Sequence, residues 1–381
     1  MQDKVPVPSH DPQAIEQALV ALRQASLSGV AQGMLAIRAT ALNLVTYADS
    51  RAAAERMSQW IAELAEQHPV RAIILGSEPG PTMDLETQVA AQCHPALAGR
   101  LVCFEEIQIM GSPQAEERLA ALTFSLLLRD LPIVLWWPGD LPIGSPLFER
   151  LAANADRLLA DSASARNPRV LLRQLVALGH AQHCECTVDD LNWDRLTPWR
   201  ELTAQFFDPA DCRPCLDRLF QVRIDYVAGE RGGGQVTAYL LAAWLATRLG
   251  WQPASEPIEH TPHSELIHLL HGQQPVQIEL VPAAARPGAA GDIQNLILQA
   301  QTAGGIAHFA IRRAAAAEAE VSTELPGREP RRRTISLPSL DPGQLLAEEM
   351  SHTGFDPSYP DALRMAAFFS AQAFAAVPFF G

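Results

Sequence analysis

The residues of this chain with the most chemical potential are its cysteines and the histidines beside them. Cys184 and Cys186 are separated by one residue and Cys212 and Cys215 by two, with His180 and His183 next to the first pair. Four thiolates could hold tetrahedral zinc, and either pair could cycle between thiol and disulfide. Spacing argues against both. Cys-x-Cys is an uncommon first half of a zinc site, and Cys212-Arg213-Pro214-Cys215 does not follow the strand of a thioredoxin-like unit. Structural thiols rank first, a redox pair second and a metal site third, with no metal or other cofactor expected. Cys93 and Cys103 fall on a predicted hairpin where they would be near neighbours. His260, His263, His268 and His271 resemble a ligand series, but Pro262 interrupts it and scattered surface histidines fit better.

No catalytic set emerges. The chain has no Gly-x-Ser-x-Gly and no His-Glu-x-x-His. Glu105 and Glu106 are adjacent on a predicted strand, so they face opposite sides and cannot work as a pair. One is expected to face solvent and the other to be paired or at an edge. The run Gly229 to Gly234 lies between a strand and a helix, where phosphate loops occur. It lacks the Gly-Lys-Ser/Thr ending and the Gly-x-Gly-x-x-Gly spacing, so it is expected to be a flexible turn. Trp136 and Trp137 end an apolar strand just before Pro138-Gly139. They point to opposite faces, so at least one belongs to a core, and the other stands where α/β sheets bind ligands or partners. Trp193, Arg195, Trp199 and Arg200 flank a helix junction at Pro198, with Thr197 as the expected cap. They suit either a partner surface or internal packing.

The elements that must carry these residues fall into two groups. Residues 12–25 read as an amphipathic helix, followed by a strand at 41–47, a helix at 50–66 and a strand at 70–75. That is a βαβ unit with a parallel pair. Residues 85–93 and 101–110 read as an antiparallel hairpin. A helix at 113–128, a strand at 132–137, a helix at 146–153, a strand at 157–160 and a helix at 168–178 complete a mixed α/β domain over residues 1–182. From 183 to 381 the pattern becomes α+β with a mostly antiparallel sheet. Its strands are expected at 219–227, 266–270, 276–281, 293–300, 306–311 and 334–337, and its helices at 192–207, 236–249, 342–351 and 360–376. The division falls near residues 179–190. Leu325 to Arg333, with four arginines, reads as an exposed basic loop. The C-terminal segment carries almost no charge after Arg364. It must be buried or docked, with Phe379 and Phe380 as candidate anchors for a partner pocket.

The 381 residues carry a formal charge of −14, which disfavours nucleic acid and anionic membranes as partners. No signal pattern or long apolar span stands out, so a soluble cytoplasmic protein is expected.

Three segments carry a family resemblance: Asp130 to Gly139 with its tryptophan pair, Cys103 to Ile107, and Leu191 to Arg200, together with His68-Pro69-Val70-Arg71. Their order and spacing resemble the OpcA family of glucose-6-phosphate dehydrogenase assembly proteins, clearly over residues 35–225. The resemblance implies a protein that is not an enzyme and acts in the pentose phosphate pathway of glucose metabolism. It would bind glucose-6-phosphate dehydrogenase through a protein–protein interaction, as assembly factor and allosteric regulator. The alternative is a small-molecule sensor or an enzyme using the strand-end cleft near Trp136 to Gly139.

Overall fold

The computed structural model describes residues 4–8, 10–27, 35–36, 40–65, 68–77, 85–96, 100–179, 186–229, 232–283, 292–351 and 356–375. Contacts divide the chain into two units. One comprises Met1–Ala160, Ala181–Leu191 and Asp341–Gly354; the other comprises Asp161–His180, Asn192–Leu340 and Phe355–Gly381.

The first unit is built on a nine-stranded sheet. Its strands are β1 (Val5–Val7), β2 (Leu35–Ala36), β3 (Leu42–Ala48), β4 (Val70–Ser77), β5 (Glu86–Ala96), β6 (Arg100–Gly111), β7 (Ile133–Pro138), β8 (Arg157–Asp161) and β9 (Thr187–Asp190). The spatial order is β1-β5-β6-β4-β3-β7-β8-β9, with β2 beside β6. β3 pairs in parallel with both β4 and β7, and β5 runs antiparallel to β6, placing Cys93 opposite Cys103. Helices α1 (Pro12–Leu27), α2 (Arg51–Ala65), α3 (Glu116–Leu126) and α4 (Pro146–Ala152) alternate with the strands. The central strands carry apolar side chains on both faces, and β4 is buried from Val70 to Gly76. That is the pattern of a parallel sheet covered on both sides.

Glu105 and Glu106 depart from the solvent-facing expectation, because β6 is an inner strand. Both are 1% exposed. Glu105 is ion-paired with Arg71 at 2.6 Å and with Arg23, while Arg71 also pairs with Glu16. On the opposite face Glu106 accepts a hydrogen bond from Ser58 at 2.7 Å and meets Lys4 at 3.1 Å. Each buried carboxylate thus has its own cation.

The second unit holds helices α5 (Pro168–Leu178), α6 (Leu191–Arg195), α7 (Thr197–Gln205) and α8 (Gly233–Arg248), and an eight-stranded sheet. The sheet runs β11 (Gln252–His260), β12 (Glu265–His271), β13 (Gln274–Ala283), β10 (Leu219–Val227), β14 (Ile293–Thr302), β15 (Gly305–Ala315), β16 (Glu318–Glu324) and β17 (Arg331–Ser336). All its pairings are antiparallel except β10 with β13. After this sheet α9 (Pro342–Ser351) belongs to the first unit, where Gly343 lies so close to Trp60 of α2 that a Cβ would sit 2.7 Å from the indole. The final helix α10 (Tyr359–Ala375) packs on α8 and α5 of the second unit, burying Ala362, Leu363, Ala366 and Phe369.

Five strands were not anticipated. β1 and β2 are only three and two residues long. β9 is only four residues long. β11 contains two prolines, which an edge position tolerates. β16 consists of Glu318 to Glu324, too short and too polar to stand out. The basic loop is also shorter than expected: its last arginines, Arg331 to Arg333, form the start of β17 and pair with Val321 to Thr323. An edge strand accommodates exposed charge without cost to a core.

Candidate functional site

In the first unit the order β6-β4-β3-β7-β8-β9 reverses at the β3–β7 boundary. In doubly wound sheets the ligand crevice opens there, beyond the carboxyl ends of the strands. Here that position is filled from within. Tyr47 at the end of β3 and Trp137 at the end of β7 stack with ring centroids 4.6 Å apart and planes 2° apart, and Phe148 of α4 meets Trp137 edge-on at 5.1 Å. Burial holds the Tyr47 phenol above its ordinary range, against the pull of a hydrogen bond with Ser77. The turn after β3 reads Ala48-Asp49-Ser50-Arg51, where a dinucleotide fingerprint would place glycines. Ser50 Oγ caps α2 by accepting from the Ala53 amide at 3.2 Å. Asp49 adds negative charge at the helix N-terminus, where a phosphate would otherwise be favoured.

Both members of the tryptophan pair are therefore interior. Trp137 is 3% exposed within the stack, and Trp136 is 1% exposed on the other face, 6.1 Å from Trp60. Pro138 closes β7 and Gly139 turns the chain with φ 88°.

The second tryptophan motif belongs to the second unit, and it binds one helix junction to the start of α10. The helical stretch breaks at Leu196, which caps α7, so Thr197 lies inside the helix rather than at its cap. Trp193 Nε1 donates to Asp356 at 2.9 Å, Arg200 donates to Asp356 at 2.8 Å and to Thr197 Oγ1 at 2.8 Å, and the Arg200 guanidinium lies 3.8 Å from the Trp193 ring centre. Partial burial works to raise the Asp356 carboxyl, but hydrogen bonds from Ser358, Arg200 and Trp193 overcome it and hold the group well below the usual carboxylate range. Arg195 donates to Asn192 at 3.0 Å and reaches Asp161, while Trp199 is 3% exposed with Arg313 beside it.

The free thiols Cys212 and Cys215 are buried in a 3₁₀ turn, and burial pushes both above their ordinary value. A raised thiol is poor in the thiolate that redox exchange and metal binding require. Arg331 donates to Cys212 Sγ at 3.0 Å. Cys186 is disulfide-bonded, and Cys184 lies outside the described residues, as do Phe379 and Phe380. Among the described residues no three His, Cys, Asp or Glu side chains are grouped to hold a metal, and no helix is long and apolar enough to cross a membrane.

The glycine run is not a loose turn where it is described. Gly232 adopts φ 81°, and Gly233 and Gly234 form the first turn of α8. A Cβ on Gly234 would sit 1.8 Å from the Val227 carbonyl oxygen, and one on Gly233 would sit 2.1 Å from that of Ala163. The glycines allow close backbone packing of the helix.

The largest feature that residue types alone did not reveal is the second face of the eight-stranded sheet. One face carries Val222, Ile224, Leu296, Leu298, Phe309 and Ile311, all buried. The other carries polar rows defined by cross-strand register. Glu279, Arg223 and Ile297 stand side by side, as do Gln277, Gln221, Gln299 and His308, and all are partly exposed. Arg223 is ion-paired with Asp225 at 2.8 Å and with Glu279 at 3.4 Å. The sequence signal was the alternation of Ile293 to Thr302, where glutamine and asparagine recur between apolar residues.

The comparisons with known proteins agree on identity at the family level. Residues 61–177 match the model of the glucose-6-phosphate dehydrogenase subunit N-terminal domain, and residues 186–363 match that of its C-terminal domain. Two proteins carrying the name OpcA and ascribed to the OxPP cycle are similar to the chain. The one from Synechocystis is 33% identical over 243 residues, which are 62% of this chain and 49% of that protein; the one from Nostoc punctiforme is 34% identical over 242 residues, covering 62% and 50%. The alignments thus span about half the length of these relatives. Among solved structures, the transcriptional regulator Gal80p from Kluyveromyces lactis is similar in fold, with a TM-score of 0.50 at 10% identity over 93% of this chain and 94% of that one. With both domain models matched in order over most of its length, the chain belongs to the OpcA family of glucose-6-phosphate dehydrogenase subunits.

Proposed function

We propose that this protein is not an enzyme but binds glucose-6-phosphate dehydrogenase and raises its activity by favouring its active assembly. Family membership supports the partner. The observation that carries the mode of action is the filled crevice, where Tyr47, Trp137 and Phe148 occupy the position in which a doubly wound fold would hold a ligand. A small-molecule sensor or enzyme acting at the strand end beside Gly139 would have to displace that stack. The contact surface is the polar face of the eight-stranded sheet, whose centre bears Gln221, Arg223, Ile297 and Gln299. A partner that prefers the active oligomer shifts its population by mass action. The test is to titrate purified dehydrogenase with this protein, following the rate with glucose 6-phosphate together with light scattering. The rate and the mass of the dehydrogenase particle should rise in parallel and saturate. No complex and no kinetic change would overturn the reading.

A further inference from the structure

The arginines at the end of the basic loop surround a built feature. β17 is the terminal strand of its sheet, and all of Arg331 to Thr334 is exposed. Its outer edge therefore presents unpaired backbone donors and acceptors along a six-residue strand. Register places Arg331 opposite Thr323 and Arg333 opposite Val321, on the face that carries the core. Beside this edge lies an open concavity of about 500 Å³, with Phe206, Pro209 and Val321 among its lining and Arg331, Arg332 and Arg333 at its rim.

The local charge opposes that of the whole chain. Arg328, Arg331 and Arg332 keep half or more of their side chains exposed in a protein of net charge −14. Asp211 meets Arg328 and Arg331, Glu324 meets Arg332 at 3.2 Å, and Arg333 donates only to the neutral Gln205 at 2.7 Å among the contacts seen. Counting Asp208, which lines the concavity, the four arginines Arg328, Arg331, Arg332 and Arg333 face three carboxylates, so the local balance is basic by one charge. A guanidinium offers a planar fork of donors that fits a carboxylate in two-point contact.

We propose that β17 and the adjoining concavity bind an extended acidic segment of the partner protein, added as a further strand. Its backbone would pair with the free edge, alternate acidic side chains would meet Arg331 and Arg333, and an apolar side chain would rest on Phe206 and Pro209. Strand addition supplies affinity through the main chain, and the arginines supply selection. An arginine-bearing edge repels basic strands and other copies of itself and attracts an acidic strand most strongly. This assignment rests on the proposed binding of the dehydrogenase and names the chemistry of one contact.

Two measurements separate the failure of this inference from the failure of that reading. The first uses the full chain and a fluorescein-labelled extended peptide in which two glutamates and a valine occupy successive alternate positions, so that all three face the same side, followed by anisotropy. Saturable binding is expected, weakened at least about tenfold in the R331Q/R333Q double variant and by added salt. R129E, which makes the same change in net charge at an exposed site of the first unit, should bind the peptide like the parent. Equal binding by parent and double variant overturns the inference, as does competition by inorganic phosphate as strong as that by unlabelled peptide, which would reveal a simple anion site. Self-association of the chain that is lost in the double variant would assign the edge to a second copy and likewise overturn it. The second measurement is affinity for the dehydrogenase itself. If the parent binds the enzyme and R331Q/R333Q binds equally well at an unchanged melting temperature, this inference fails while the functional reading stands. If the parent does not bind the enzyme at all, the functional reading fails, whatever the peptide does.

Discussion

The two sheets of this protein bury their surfaces in different ways. In the first unit β4 is buried from Val70 to Gly76, and β3 and β7 are buried through their centres. Its charged groups are drawn inward and neutralised, as with Arg71 and Glu105, each 1% exposed. In the second unit β13 and β14 alternate between buried and partly exposed residues, and charge lies on the outward side, as with Arg223 and Glu279. The first arrangement is closed on both faces and stacks its own aromatics where a ligand would sit. The second leaves one face and the edge at β17 accessible. A doubly wound sheet packed at its strand ends thus shares the chain with a second sheet that keeps one polar face partly exposed.

If the first unit is scaffold, substitutions inside it should cost stability and leave the affinity of the folded protein intact. The largest effect is expected at Glu105. E105Q leaves Arg71 and Arg23 without their shared carboxylate in the interior, a loss of about 3–5 kcal/mol in chemical denaturation. A variant that keeps its stability but loses the dehydrogenase would break the division between scaffold and surface.

The second unit also has a rigid interior, and Gly234 locates it. G234A forces a methyl group against the Val227 carbonyl, and a cost of about 3 kcal/mol is expected in the same measurement. An unchanged denaturation midpoint would show that α8 can shift away from β10, and the second unit would then be softer than described.

A smaller, pH-dependent effect is expected at Asp356. D356A removes the acceptor of Trp193 Nε1 and Arg200, a loss of about 1–3 kcal/mol near neutral pH. Because the folded-state pKa of Asp356 is depressed, its contribution is complete above the unfolded value of about 4 and is lost as the pH falls below that value. The stability difference between parent and variant should therefore be constant from pH 7 to about pH 5 and shrink in stronger acid. A difference that grows on acidification would reverse this assignment.

Much of the fold was legible because long apolar periodicity dominates it. The βαβ unit over residues 41–75, the antiparallel hairpin and β10 at 219–227 all follow from runs whose period and boundaries agree. What stayed hidden depends on neighbours. That Glu105 and Glu106 are both interior follows from β6 lying between β4 and β5, a fact of topology that their adjacency cannot express. The tryptophan pair was correctly placed at a strand end, but whether that end is open or filled depends on Tyr47 and Phe148, which are distant in sequence. Trp193 and Arg200 likewise gain their meaning from Asp356, more than 150 residues later. The strand character of Arg331 to Arg333 was masked by the flanking proline and glycine and by charge that only an edge permits.

If the polar face of the second sheet receives glucose-6-phosphate dehydrogenase, as proposed above, an obstacle at its centre should block the complex. Gln221 and Gln299 are cross-strand partners at the middle of that face. Replacing both with tryptophan raises a bulky obstacle there, and aromatic cross-strand pairs are well tolerated in sheets. The decisive measurement is the equilibrium affinity of Q221W/Q299W for the dehydrogenase, made beside its melting temperature. A variant that melts like the parent and binds at least about tenfold more weakly is expected. A variant that melts like the parent and binds the enzyme with unchanged affinity would contradict it.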